Sequence, residues 1–212
     1  VFKLVDKKWI LPKELSFDDP EAIGFEYGGV ATGDFDGDGK IDIVYGRHGG
    51  GPAVAYNLGG FKFRIETRGL PKPMSTRAMA VGDLDADGKL DIIAMSDEPE
   101  YSNVKDRELA GDASVRQPRP DGYVMGYDVR AFLQQKDGKF EEVRSGLDQS
   151  CFGYSISLFA PASDGGSPFF AGSCRYQGMR TVIRTYDPAA KRWSEAGERE
   201  AFGTTNPTYA ES

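Results

Sequence analysis

The sequence predicts an all-β protein assembled from stacked four-stranded units, and three observations carry that prediction. An acidic loop set between two short apolar strands at Gly33–Val44 returns 49 residues later (Asp34 to Asp83) at Gly82–Ile93. Further strand-like runs, rich in β-branched and aromatic residues and bounded by Gly, Asp and Pro, surround both copies. Glycine is abundant, 27 of 212 residues, as a chain with many tight turns requires. Repetition at this period marks an array in which one unit cannot bury its own faces and must stack on its neighbours.

The first loop reads Gly33-Asp34-Phe35-Asp36-Gly37-Asp38-Gly39-Lys40-Ile41-Asp42 and the second Gly82-Asp83-Leu84-Asp85-Ala86-Asp87-Gly88-Lys89-Leu90-Asp91. Carboxylates at loop positions one, three, five and nine can converge several oxygens on one hard cation. Asp34, Asp36, Asp38 and Asp42 are the expected side-chain ligands of the first loop, with the carbonyl of Lys40 at position seven. Asp83, Asp85, Asp87, Asp91 and the carbonyl of Lys89 repeat the set. Gly39 and Gly88 stand where the chain must bend, and positive φ costs a glycine little. Four carboxylates within nine residues repel one another without a cation, which argues against plain solvated turns. Calcium is the expected ion at both sites, because magnesium prefers a rigid, water-rich octahedron and zinc prefers His or Cys.

An EF-hand would place helices around such a loop and a glutamate at position twelve, where this chain has Tyr45 and Ala94. The flanks instead read as strands: Gly29–Thr32 and Ile41–Tyr45 around the first loop, Ala78–Val81 and Leu90–Ala94 around the second. These segments resemble FG-GAP or VCBS-type repeats, the blades of integrin-α-like β-propellers. A third, degenerate copy begins at Phe152-Gly153 and continues through Pro168–Gly172; only Asp164 and Gly165 of its loop match, so no metal is expected there. Outer hairpins complete each unit: Ala53–Leu58 with Phe61–Ile65, Val129–Leu133 with Phe140–Val143, and Thr181–Tyr186 turning toward Trp193.

The resemblance implies a β-propeller-like array with three recognisable blades. Residues 25–72 form blade 1 with a calcium loop. Residues 73–148 form blade 2 with a calcium loop and an inserted loop at 98–122. Residues 149–196 form blade 3 without one. Residues 1–24 are an N-terminal segment that supplies an extra strand or partial blade through Phe2–Val5 and Lys8–Leu11, and 197–212 are a polar tail. Closed propellers usually have four to eight blades, so three leave sheet faces to be covered. The expectation is a piece of a longer polypeptide, or an open end that docks on another protein or on a second copy. The long 98–122 insertion, with Tyr101, Arg107, Arg116 and Arg119, is either a contact surface or a solvated flap.

A net charge of −7 and a pI of about 4.9 argue against nucleic acid and anionic membranes as partners. Eight of the 33 acidic residues lie in the two loops, so two divalent cations would raise −7 to −3. No apolar run is long enough to span a bilayer, so no membrane insertion is expected. The chain begins at Val1 without a charged-then-apolar leader, and any secretion signal is expected to have been removed. If strand 153–159 pairs with 168–174, Cys151 and Cys174 lie near the open end of that hairpin, and a disulfide is preferred over two buried thiols. Loops and disulfide together point to an extracytoplasmic protein: secreted, at the cell surface or periplasmic.

Catalysis is not expected. The single histidine, His48, lies in a Gly-rich turn without a nucleophile motif beside it. The expected role is a calcium-binding, non-catalytic interaction or scaffold module that binds protein. Two alternatives stand beside it. One is a lectin-like carbohydrate-binding module, for which Tyr45, Tyr56 and Trp193 are candidate platforms although core packing suits each of them. The other is the propeller portion of a polysaccharide lyase or hydrolase, by analogy with relatives of the repeat family.

Overall fold

The computed structural model describes residues 1–19, 28–46, 51–71, 76–95, 129–143, 147, 155–159, 169–174 and 180–195, and among these described residues every regular element is a strand. The acidic loops are the first turns of two equivalent meanders. Strands β4 (Val30–Gly33) and β5 (Asp42–Tyr45) flank the first loop, and β6 (Ala53–Gly59) and β7 (Lys62–Glu66) continue outward. The second meander runs through β8 (Ala78–Gly82), β9 (Asp91–Met95), β10 (Val129–Gln134) and β11 (Phe140–Val143). A third consists of β12 (Ser155–Phe159), β13 (Phe169–Cys174), β14 (Arg180–Asp187) and β15 (Arg192–Glu195). Each pairs antiparallel in sequence order. The same register closes both acidic loops, Gly33 opposite Asp42 and Gly82 opposite Asp91.

The N-terminal segment differs in detail from its expected form. Strands β1 (Lys3–Val5) and β2 (Lys8–Ile10) form a separate hairpin, with Asp6 and Lys7 both at positive φ as a two-residue turn compatible with strand twist demands. The segment instead joins blade 1 through the short β3 (Ser16–Phe17), which lies parallel to β7 as a fifth strand. Phe17 stacks on Phe63 with ring centroids 5.1 Å apart, and the Asp18 carboxylate accepts the Ile65 N–H at 2.8 Å. This caps the outer edge of blade 1.

The hydrophobic core lies between blades rather than within them. Phe35, Val44, Val54, Tyr56, Met79, Ile92, Phe132 and Phe140 fill the space between blades 1 and 2. Leu84, Ile93, Met95, Ala131, Leu133, Ile156, Tyr186 and Trp193 fill the space between blades 2 and 3. Along β9 the side chains alternate, Ile92 and Ala94 toward blade 1, Ile93 and Met95 toward blade 3. A central sheet covered on both faces therefore reads as a continuous apolar run. Tyr56 and Trp193, the suggested sugar platforms, are each 1% exposed and belong to this packing; Tyr45 is half-buried.

Residue two of each acidic loop is the plug that joins one blade to the next. Phe35 meets Phe140 of blade 2 edge-on at 6.2 Å, and Leu84 takes the equivalent place against blade 3. The adjoining backbones approach closely: a Cβ on Gly29 would lie 2.6 Å from the Met79 nitrogen, and Phe140 N–H donates to the Arg68 carbonyl at 2.7 Å. Truncating Phe35 to Ala should cost about 3–5 kcal/mol in a denaturant titration. Ile41→Ala, at a side chain 57% exposed in the same loop, should change stability by no more than about 0.5 kcal/mol. Equal effects would refute the plug.

Candidate metal centre

The two loops place their carboxylates by the same backbone route. Gly39 and Gly88 adopt φ of 83° and 84°, which turns the chain back after the third aspartate. Two positions earlier in the turn, Gly37 has φ 76° and its counterpart Ala86 has φ 60°, so the second loop carries a side chain where the first has none. The Asp34 carboxylate accepts N–H groups from Gly37 at 2.8 Å, Asp38 at 3.1 Å and Gly39 at 2.9 Å. Asp83 accepts from Asp87 at 3.1 Å and Gly88 at 2.9 Å. Each first aspartate thus gathers its own loop around it.

Position nine is a bracket. Asp42 is fully buried, and its two oxygens accept N–H groups from Phe35 in the loop and Asn57 in β6, each at 2.8 Å. Asp91, also fully buried, accepts from Leu84 at 2.7 Å and Gln134 in β10 at 2.8 Å. These carboxylates fix the plug residue and tie the loop to the third strand of its blade. Sequence reading missed the role of Phe35 and Leu84, although an apolar residue at position two of both copies was a signal for it. Asn57 and Gln134 carried no such signal.

In the first loop Asp34, Asp36 and Asp42 bring ligand oxygens within 4.8 Å of one another, and in the second Asp83, Asp85 and Asp87 do so. Asp38 stands apart because the Lys40 ammonium pairs with it, which also holds the Asp38 carboxyl below its usual range. Asp91 lies outside the second cluster, although Asp42, with the equivalent pair of backbone donors, belongs to the first. Lys40 and Lys89, whose carbonyls were the expected position-seven ligands, donate their N–H groups to Asp38 at 2.8 Å and Asp87 at 2.9 Å.

The electrostatics are those of acids short of positive charge. Burial pushes the Asp91 carboxyl up to about 7, against the lowering effect of its backbone donors, and Asp85 and Asp83 add to the rise. Burial likewise raises Asp42, and burial followed by the Asp87 charge raises Asp85. The Asp85 Oδ1 is buried without a hydrogen-bond partner. An all-oxygen cluster with an orphaned carboxylate oxygen fits a hard cation, and these acidic clusters can hold a metal ion.

Residues 34–94, from the first aspartate of loop 1 through the strand after loop 2, match the FG-GAP-like repeat family. This segment is an FG-GAP-like repeat. No curated protein matches the chain. The FG-GAP-like segment contains both acidic loops, and the three antiparallel meanders of the chain, two of which it joins, agree with a β-propeller-type module. Among the described residues no helix is long and apolar enough to cross a membrane. His48, Cys151, the 98–122 insertion and the Asp164–Gly165 loop lie outside the described residues, and only the backbone of Cys174 is described.

The raised carboxyls set a pH dependence. A group whose folded-state pKa exceeds its unfolded value favours the fold while protonated; for Asp91 that stabilisation is complete below the ordinary value of 3.8 and is lost as pH rises through about 7. Asp42 and Asp85 shift in the same direction. Chelator-treated protein should therefore unfold at lower urea concentration at pH 8 than at pH 5. An equal or higher midpoint at pH 8 would contradict the burial of these acids.

Proposed function

We propose that this chain is a calcium-binding, non-catalytic, extracytoplasmic interaction or scaffold module that binds another protein, or a second copy, through a propeller-like surface. The observation that carries the proposal is the placement of each acidic cluster directly behind an interblade plug. Asp34 and Asp36 flank Phe35, Asp83 and Asp85 flank Leu84, and both plugs are buried in the core. A cation held by those carboxylates would stiffen the joint between blades, a structural use of metal. Calcium suits the oxygen-only ligand set, and extracellular modules use calcium sites built from oxygen ligands. A Cys151–Cys174 disulfide belongs to the same extracytoplasmic reading.

The protein-binding half rests on the outer face of blade 1. Val30 and Ile41 are exposed there, and their repeat counterparts Met79 and Leu90 pack against blade 1 in the blade 1–blade 2 joint. The face thus repeats a surface that blade 2 uses to receive a neighbour. A groove of about 590 Å³ runs over it, lined by Val30, Thr32, Ile41, Ile43 and Phe61 together with N-terminal Val1 and Phe2. Exposed apolar surface of this kind favours a partner. The lectin alternative is less well supported, since Tyr56 and Trp193 are core residues.

Calorimetric titration of chelator-stripped protein should show two calcium ions bound, with one lost in Asp36→Ala and the other in Asp85→Ala. Each site should add about 2.7 kcal/mol of stability when calcium is a hundredfold above its dissociation constant. Identical melting curves in calcium and chelator would reject the structural role. Light scattering should detect an assembly burying more than about 1,000 Å², weakened by Val30→Glu. A monomer at all concentrations that binds sugar saturably would favour the lectin instead.

A further inference from the structure

The two loops are joined by a buried hydrogen-bonded path that runs through Gln134. Its backbone N–H donates to Asp91 Oδ1 at 2.8 Å, while its side-chain amide reaches out of blade 2 and donates to the Phe35 carbonyl at 2.8 Å. Phe35 N–H in turn donates to Asp42 Oδ2 at 2.8 Å. Position nine of loop 2 is thus connected to position nine of loop 1 through two residues, Gln134 by its N–H and side chain and Phe35 by its carbonyl and N–H, all within the core. The residue at the corresponding place in blade 1 does something different. Asn57 N–H donates to Asp42 just as Gln134 N–H donates to Asp91, but the shorter Asn57 amide folds back to the Ile41 carbonyl of its own loop at 3.0 Å. Asn57 lines the open groove on the outer face of blade 1, whereas Gln134 faces the loop of blade 1 and crosses to it.

From this path we infer that the two cation sites are coupled, each loop strengthening the other, with Gln134 as the positioning residue that transmits the effect. The inference rests on the calcium reading above. Phe35 lies between Asp34 and Asp36, so ordering those carboxylates around a cation fixes the carbonyl that Gln134 holds. Fixing Gln134 fixes the N–H that anchors Asp91, and loop 2 then has less freedom to lose when it binds. The coupling must be reciprocal, because it is a free energy shared by the two sites.

Calcium titrations of the full chain by calorimetry, with melting temperature as a second readout, test the inference. Disabling loop 1 with Asp36→Asn should raise the loop 2 dissociation constant by about fivefold or more, the lower end of ordinary coupling between sites. Disabling loop 2 with Asp85→Asn should weaken loop 1 by the same factor. In a Gln134→Asn background, where the amide is retained but shortened, each change should shrink below about twofold; Gln134→Met should do the same. An unchanged loop 2 affinity in Asp36→Asn overturns the coupling while leaving the calcium sites standing, and that comparison leaves Gln134 itself intact. Full coupling surviving in both Gln134 variants overturns the path. No calcium uptake by the unmodified protein rejects the calcium reading itself, a result distinct from two independent sites.

Discussion

The structure depends on one repeated bond pattern, a buried aspartate at the end of each acidic loop that accepts two backbone N–H groups. Asp42 holds Phe35 and Asn57; Asp91 holds Leu84 and Gln134. One donor belongs to the plug residue and the other to the third strand, so each carboxylate sets where the apolar wedge enters the next blade. A buried carboxylate held by neutral donors alone is an expensive arrangement. Its raised proton affinity and the orphaned Asp85 oxygen are two signs of the same shortage of positive charge.

That shortage connects fold to function. Blades that bury their faces only against one another gain their stability at the joints, and the joints here are made by loop residues rather than by strands alone. A cation at such a loop would act on interblade packing through Asp34, Asp36, Asp83 and Asp85 without entering the core itself. The same logic leaves the outer face of blade 1 conspicuous: Val30 is 64% exposed where its counterpart Met79 is 7% exposed. Among the described residues a neighbouring blade covers Met79 and none covers Val30, although both occupy the same place in their sheets.

Much of this architecture was legible in the chain. The strands around both loops follow from apolar runs bounded by Gly and Asp, and the bends at Gly39 and Gly88 follow from the third aspartate and the glycine after it. Other features gave no local signal. Alanine at position 86 says nothing of a positive φ, and a two-residue parallel strand such as β3 depends on a distant partner, β7. The separation of Asp38 from its cluster reflects a competing Lys40 charge, and the second loop gathers Asp87 where the first gathers Asp42, a difference that the matching spacing of the two loops does not announce. The bridge from Gln134 to Phe35 spans 99 positions and depends on the stacking of blade 2 on blade 1, which no local pattern encodes.

A cation bound at the acidic loops should tighten the joints between blades. Hydrogen–deuterium exchange on chelator-stripped and calcium-loaded protein tests it most directly, since exchange reports local opening free energy. Calcium should slow exchange at Phe35 and Leu84 and also in strands β10 and β11, which pack against the first plug. Exchange that is unchanged at both plugs, or slowed only at the exposed loop residues with no effect on β10 and β11, would contradict it.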